Sequence, residues 1–196
     1  MIISKTNPKS LEILVTHLLQ NNVVIVPTDT VYGFSGTIPN TQNKIMEIKG
    51  RCESKSFIRL ISSPKEIYNY TNQIIPDILM ELWPGALTLI VKLKDELATF
   101  SGETVAFRCP GDLWLRNVIK KLGKPIFSTS VNKTGEPVMF SVQEMEVVFG
   151  EQVACIVDGE SQVSKDALPS TIIDLSGEKY KIIRQGSVKI PCEIIV

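Results

Sequence analysis

Apolar runs of strand length alternate with amphipathic helical segments along this chain, and three short polar clusters sit where such elements end. The clusters are Pro27-Thr28-Asp29-Thr30-Val31-Tyr32-Gly33, Lys49-Gly50-Arg51 and Ser128-Thr129-Ser130-Val131-Asn132. Such interleaving commits a chain to an α/β fold, and loops at the ends of buried elements are where that fold keeps its ligands. Together the clusters supply hydroxyls, an amide and fixed positive charge. Those groups can hold a nucleotide phosphate and a small zwitterion, which points to chemistry on a phosphorylated substrate.

The elements follow from periodicity and punctuation. Leu11, Leu14, Val15, Leu18 and Leu19 predict a first helix behind an Asn7 cap with Pro8 at the first helical position, and Val23–Val26 follows as a strand covered on both faces. A second helix is expected over about 41–49, with Gly50 as its C-terminal cap, then a strand at Phe57–Ile61. Ser63-Pro64-Lys65-Glu66 reads as a capping box opening a helix toward Tyr70. A helix near Ile78–Leu82 and strands at Leu87–Leu93 and Thr104–Arg108 come next. Asp112 and Gly123 bracket another helix, Pro125–Thr129 re-enters the sheet, and Ser141-x-x-Glu144 opens a helix to about Phe149. Val153–Val157, Ser170–Leu175 and Tyr180–Arg184 are the last strands, the final two joined as a hairpin that makes the sheet mixed.

With 196 residues and 43% hydrophobic content, the chain is read as one domain over residues 1–196. Twenty-one basic residues balance 21 acidic ones, so no global field draws it to nucleic acid or anionic lipid. Cys52, Cys109, Cys155 and Cys192 are widely spaced without a C-x-x-C pair, which reads as reduced thiols rather than a zinc site or disulfide framework. Apolar runs such as Leu87–Val91 are too short to span a bilayer, and the N-terminus has no basic segment leading an apolar core. A soluble, cytoplasmic protein is expected.

Attraction for anions must therefore be local. Residues 44–65 carry Lys44, Lys49, Arg51, Lys55, Arg59 and Lys65 against Glu47 and Glu53, a pattern that suits either a polyphosphate clamp or a solvated helix face. Ser128–Asn132 suits either a pocket lining or an ordinary turn. Gly50-x-x-x-x-Lys55-Ser56 is not a phosphate-binding P-loop, because Ser54 stands where its second glycine belongs and the segment joins a helix to a strand. The single histidine, His17, lies on the first helix, which disfavours histidine-dependent hydrolysis. Asp29, Asp158, Glu160 and Asp174 could each meet magnesium, but no spacing selects one, and the metal ligands stay unknown. Read from residues alone, this is an anion-binding α/β protein with a lysine and arginine clamp.

Taken in order, the following motifs resemble the YrdC family over roughly residues 10–187: Pro27–Gly33, Lys49-Gly50-Arg51 with Lys55, Trp83–Thr88, Val105–Arg108, Ser128–Asn132 with Gly135-Glu136-Pro137, Ser170–Asp174 and Ile183–Gly186. That family includes the threonylcarbamoyl-AMP synthases. Their K-x-R and S-x-N tetrad, which a paralogous branch of the fold typically lacks, is matched by Lys49, Arg51, Ser130 and Asn132. The resemblance implies a twisted mixed sheet with flanking helices around a large, positively lined cavity. It also implies joining of L-threonine, bicarbonate or CO2, and ATP, with Mg2+ arriving on the nucleotide. By position, Thr28 would contact threonine, Lys49, Arg51 and Lys55 the phosphates and carboxylates, and Ser130 and Asn132 the nucleotide or carbamate. Thr104, Arg108 and Arg184 fall in matching motifs as nucleotide or substrate contacts. The expected form is the short one, passing its product to a tRNA-modifying transferase complex. Direct binding of tRNA or double-stranded RNA, and a non-synthase paralog, stay open as alternatives.

Overall fold

A computed structural model describes residues 1–51, 57–160, 164 and 166–194. The strands are β1 (Ile2–Ser4), β2 (Val24–Val26), β3 (Gly33–Thr37), β4 (Ile58–Leu60), β5 (Leu87–Lys92), β6 (Thr104–Arg108), β7 (Ile126–Ser130), β8 (Cys155–Asp158), β9 (Thr171–Asp174) and β10 (Lys181–Arg184). They form one twisted sheet in the order β1, β8, β2, β3, β7, β4, β6, β5, β9, β10. Pairing is mixed: β1 with β8, β8 with β2, β4 with β6 and β5 with β9 run parallel, and the remaining neighbours antiparallel. The helices are α1 (Ser10–Leu19), α2 (Gln42–Lys49), α3 (Asp77–Met80), α4 (Leu113–Leu122) and α5 (Val142–Phe149).

Strand alternation sorts the side chains between two faces. Phe34, Phe127, Phe107, Leu89 and Ile173 share one face, which α2 and α5 cover at one end with Ile45, Ile48, Met145 and Phe149. Ile67, Leu79 and Trp83 cover it at the other. On the opposite face, α1 and α4 pack Leu14, Leu18, Leu115 and Ile119 over Val24, Val26, Ile126, Cys155 and Val157. That cover stops near β4, and beyond it this face carries Ile90, Ile172, Thr104, Ala106 and Arg108. Burial pushes the free thiols of Cys109 and Cys155 up to about 12 and about 11, which keeps them protonated and inert.

Several expectations shift. Helix α1 begins at Ser10, because the Asn7 side chain accepts from the Lys9 N–H at 2.9 Å and so closes a turn instead of capping the helix. The box at Ser63 opens only a 3-10 helix, Pro64–Asn69, and Glu66 reaches back to the Ser62 N–H at 3.1 Å. Strands β1 and β3 were not expected at all. Gly33-Phe34-Ser35-Gly36-Thr37 carries no strand pattern in the sequence, yet it is wholly buried at the sheet centre. A Cβ on Gly36 would fall 2.3 Å from Thr41 Oγ1, so glycine is what lets the start of α2 lie against the strand.

Candidate active site

The uncovered half of the sheet floors a cavity of about 590 Å³, and none of the described residues lining it belongs to a helix. Thr104, Ala106 and Arg108 of β6 point into it while Val105 and Phe107 point into the core, so one alternation serves both. Ile58, Ile90 and Ile172 give it an apolar wall, and Arg51, Arg108 and Arg184 bring positive charge from three separate parts of the chain. Ser128 and Ser130 of β7 reach the cavity beside Gly33, where a Cβ would sit 2.8 Å from Ser128 Oγ.

At one end, the loop after β2 folds on its own side chains. Thr28 Oγ1 donates to the Val31 carbonyl at 2.7 Å, accepts from the Thr30 N–H at 3.1 Å and lies 2.9 Å from Thr30 Oγ1. Thr28 lines the cavity, and this turn already occupies its hydroxyl. Arg108, buried, donates from Nη1 to Thr30 Oγ1 at 2.8 Å, from Nη2 to Asp29 Oδ1 at 2.6 Å and from Nε to the Gly85 carbonyl at 3.1 Å. Arg184 is anchored by Ser170, whose carbonyl accepts from Nε at 3.1 Å and whose hydroxyl accepts from Nη2 at 3.2 Å.

At the other end, Gly50 (φ 60°) stops α2 in the left-handed conformation, and the Arg51 N–H bonds back to Met46 at 2.9 Å. The guanidinium of Arg51 stands over the Phe57 ring at 5.3 Å, with no hydrogen bond to any described residue. Lys49 turns the other way. It is only 4% exposed, and Nζ donates to the carbonyls of Ser130 and Asn132 at 2.6 and 2.9 Å and to Asn132 Oδ1 at 3.0 Å. Ser130 Oγ gives its proton to the same Asn132 oxygen at 2.7 Å, and Asn132 Nδ2 donates to the Lys133 and Glu136 carbonyls. Burial, with the nearby Arg51 charge, lowers Lys49 from 10.5 to about 8.

The structure thus brings Thr28, Arg51, Thr104, Arg108, Ser130 and Arg184 to one cavity. Lys49 and Asn132 sit behind its wall and tie α2 to the end of β7, and Lys55 lies outside the described residues. Asp29, Thr30 and Ser170 were not singled out as site residues, although each lies inside a motif that carried the resemblance. Among the described residues no three His, Cys, Asp or Glu side chains converge on a metal position. Asp29 pairs with Arg108, Asp158 and Asp174 cap local turns, and Glu160 accepts from Ser4 and Thr6.

The sequence model of the family described as Telomere recombination (Sua5, YciO, YrdC) matches residues 16–186. A Bos taurus protein named threonylcarbamoyl-AMP synthase is 29% identical over 189 residues, covering 91% of this chain and 68% of that protein. P. abyssi Sua5 complexed with L-threonine matches with a TM-score of 0.82 at 27% identity, over 95% of this chain. The chain spans only 57% of that relative's length. E. coli YciO matches with a TM-score of 0.82 at 23% identity over 95% of this chain and 94% of its own, a likeness of fold.

Proposed function

The chain belongs to the Sua5/YciO/YrdC family, and from that premise we propose that it is a threonylcarbamoyl-AMP synthase. The observation that carries this reading is the convergence of Arg51, Arg108 and Arg184 on one cavity with an apolar wall. A base and a ribose need the wall; a triphosphate, a carboxylate and a carbamate need the arginines. In the proposed reaction the threonine amine and bicarbonate condense to a carbamate with loss of water. A carbamate oxygen then attacks the α-phosphorus of ATP, the bond from that phosphorus to the bridging oxygen breaks, and pyrophosphate leaves.

The demand on the protein is to hold several anions together and stabilise charge on phosphorus, which fixed guanidinium groups do without a histidine. Arg51, with Lys55 beside it in sequence, would face phosphates. Ser130, Thr104 and Arg184 would contact nucleotide, while Arg108 and the turn at Thr28 would receive a substrate anion. Lys49 and Asn132 would hold Ser130 in place. Mg2+ would come bound to the nucleotide's own phosphates. No helix among the described residues is long and apolar enough to cross a membrane, in keeping with a cytoplasmic role that hands the product to a tRNA-modifying transferase complex.

The test is incubation with ATP, magnesium, bicarbonate and L-threonine, following threonine-dependent pyrophosphate release and the adenylate by mass spectrometry. Product that vanishes in an Arg51→Ala variant supports the synthase. Folded, ATP-binding protein that makes none belongs with the non-synthase paralogs, and RNA affinity that falls steeply with salt without ATP turnover indicates an RNA-binding role.

A further inference from the structure

The turn at residues 28–31 contains a chain of hydroxyls whose direction can be worked out. A threonine hydroxyl has one proton to give. Thr28 gives its proton to the Val31 carbonyl, which can only accept. The contact between Thr28 and Thr30 must then be donated by Thr30, and Thr30 in turn accepts from Arg108 Nη1. The chain runs one way, from Arg108 to Thr30 to Thr28 to Val31. Asp29 fixes the other side of the guanidinium through Nη2, and the Gly85 carbonyl fixes Nε.

Three of the five guanidinium N–H groups are thereby committed, and one on each terminal nitrogen is left in a residue that lines the cavity. Gly111 makes room for this arrangement, because a Cβ there would fall 2.9 Å from Asp29 Oδ2. Arg184 lies near enough that, after burial, the charge of Arg108 also lowers its pKa. Among the described residues Asp29 is the only carboxylate ion-paired with either arginine. The corner keeps net positive charge, with two N–H groups held at a fixed angle.

On the synthase reading of this same cavity, we propose that Asp29 and Thr30 are positioning residues that lock Arg108 as a two-pronged donor for one oxyanion, a carboxylate or a phosphate of a single substrate. The bonds described join both of them to Arg108. Each acts by removing the alternative orientations of Arg108 before the anion arrives, so that little ordering is left to be done on binding.

Wild type, Asp29→Asn, Thr30→Val and Thr30→Ser are titrated separately with L-threonine and with ATP by calorimetry, and their thermal midpoints recorded. Asp29→Asn and Thr30→Val are expected to weaken one ligand by about tenfold or more and leave the other within about threefold, because one charge-assisted anchor is lost in each. Thr30→Ser, which keeps the relay, is expected to bind both as wild type does. Which ligand suffers tells whether a carboxylate or a phosphate occupies the fork. Unchanged affinities in both disabling variants overturn the proposal, as does equal loss of both ligands with Thr30→Ser behaving like Thr30→Val. Wild type that makes no adenylate, while Asp29→Asn still weakens ATP selectively, removes the synthase reading and leaves the locked arginine standing.

Discussion

Replacing Lys49 with methionine separates a lysine that touches substrate from one that builds the wall. The ammonium fills three buried acceptors, the carbonyls of Ser130 and Asn132 and the Asn132 side-chain oxygen. Asn132 Oδ1 keeps the Ser130 hydroxyl as a donor, and each of the two carbonyls left without the ammonium costs about 1–3 kcal/mol. Removing the ammonium also relieves its desolvation and its repulsion from Arg51, together about 3 kcal/mol for a fall from 10.5 to about 8. The balance is a net loss of about 1 kcal/mol, and at roughly 2–4 °C per kcal/mol for a chain of this size the thermal midpoint should drop by about 2–4 °C. Ser130, at the end of β7, would lose its tie to α2, and a displacement of about 1 Å at a reacting centre can cost about 100-fold in rate. Differential scanning fluorimetry beside adenylate synthesis reads both. A dead variant whose midpoint matches wild type would refute the reasoning, since Lys49 would then act on substrate and not on β7.

The same lysine links stability and activity to pH with opposite signs. Between pH about 8 and 10.5 the unfolded chain holds the Lys49 proton more tightly than the folded one, so its contribution to stability rises with pH. Over that window the amine loses one of its three donors, and synthesis should fall through pH about 8, a limb that Lys49→Arg should displace upward. Arg51→Ala should lower synthesis by about 100-fold or more yet move the midpoint only by the loss of one contact with the Phe57 ring, which chemical denaturation will register as about 1 kcal/mol or less. Ala106→Leu should fill the cavity floor and weaken ATP by about tenfold or more with stability unchanged or raised, and intact ATP affinity in calorimetry would place the nucleotide elsewhere. Gly36→Ala should destabilise by about 1–3 kcal/mol through its collision with Thr41, with the specific activity of the folded fraction unaltered.

Sequence reading succeeded where a single residue decides the local backbone. Asp112 accepts from the Leu115 N–H at 2.8 Å and Gly123 turns left-handed, so both ends of α4 were legible. It failed at β3, where two glycines and a serine look like a loop because the reason for them lies in other elements, Thr41 before α2 and Ser128 on β7. The cavity followed the same rule. Its cationic residues could be named from motifs, but not the inward turn of Lys49, whose partners are 81 and 83 positions away. Nor was the anchoring of Arg108 legible, since it depends on a loop 78 and 79 positions upstream.

Strand β7 carries Ser128 and Ser130 toward the cavity and Phe127 toward the core, hydrogen-bonded to β3 on one side and β4 on the other. A one-residue slip exchanges the two faces of a strand. Deleting a residue between Phe127 and Ser130 would therefore slip one side of the strand, either burying a hydroxyl among aromatic rings or turning the phenylalanine into the ligand space. A variant library in this segment should yield substitutions but no viable length changes. Insertions should survive only beyond Asn132, where the chain has left the ladder, and anyone redesigning the pocket must treat β7 as a ruler whose divisions cannot be moved.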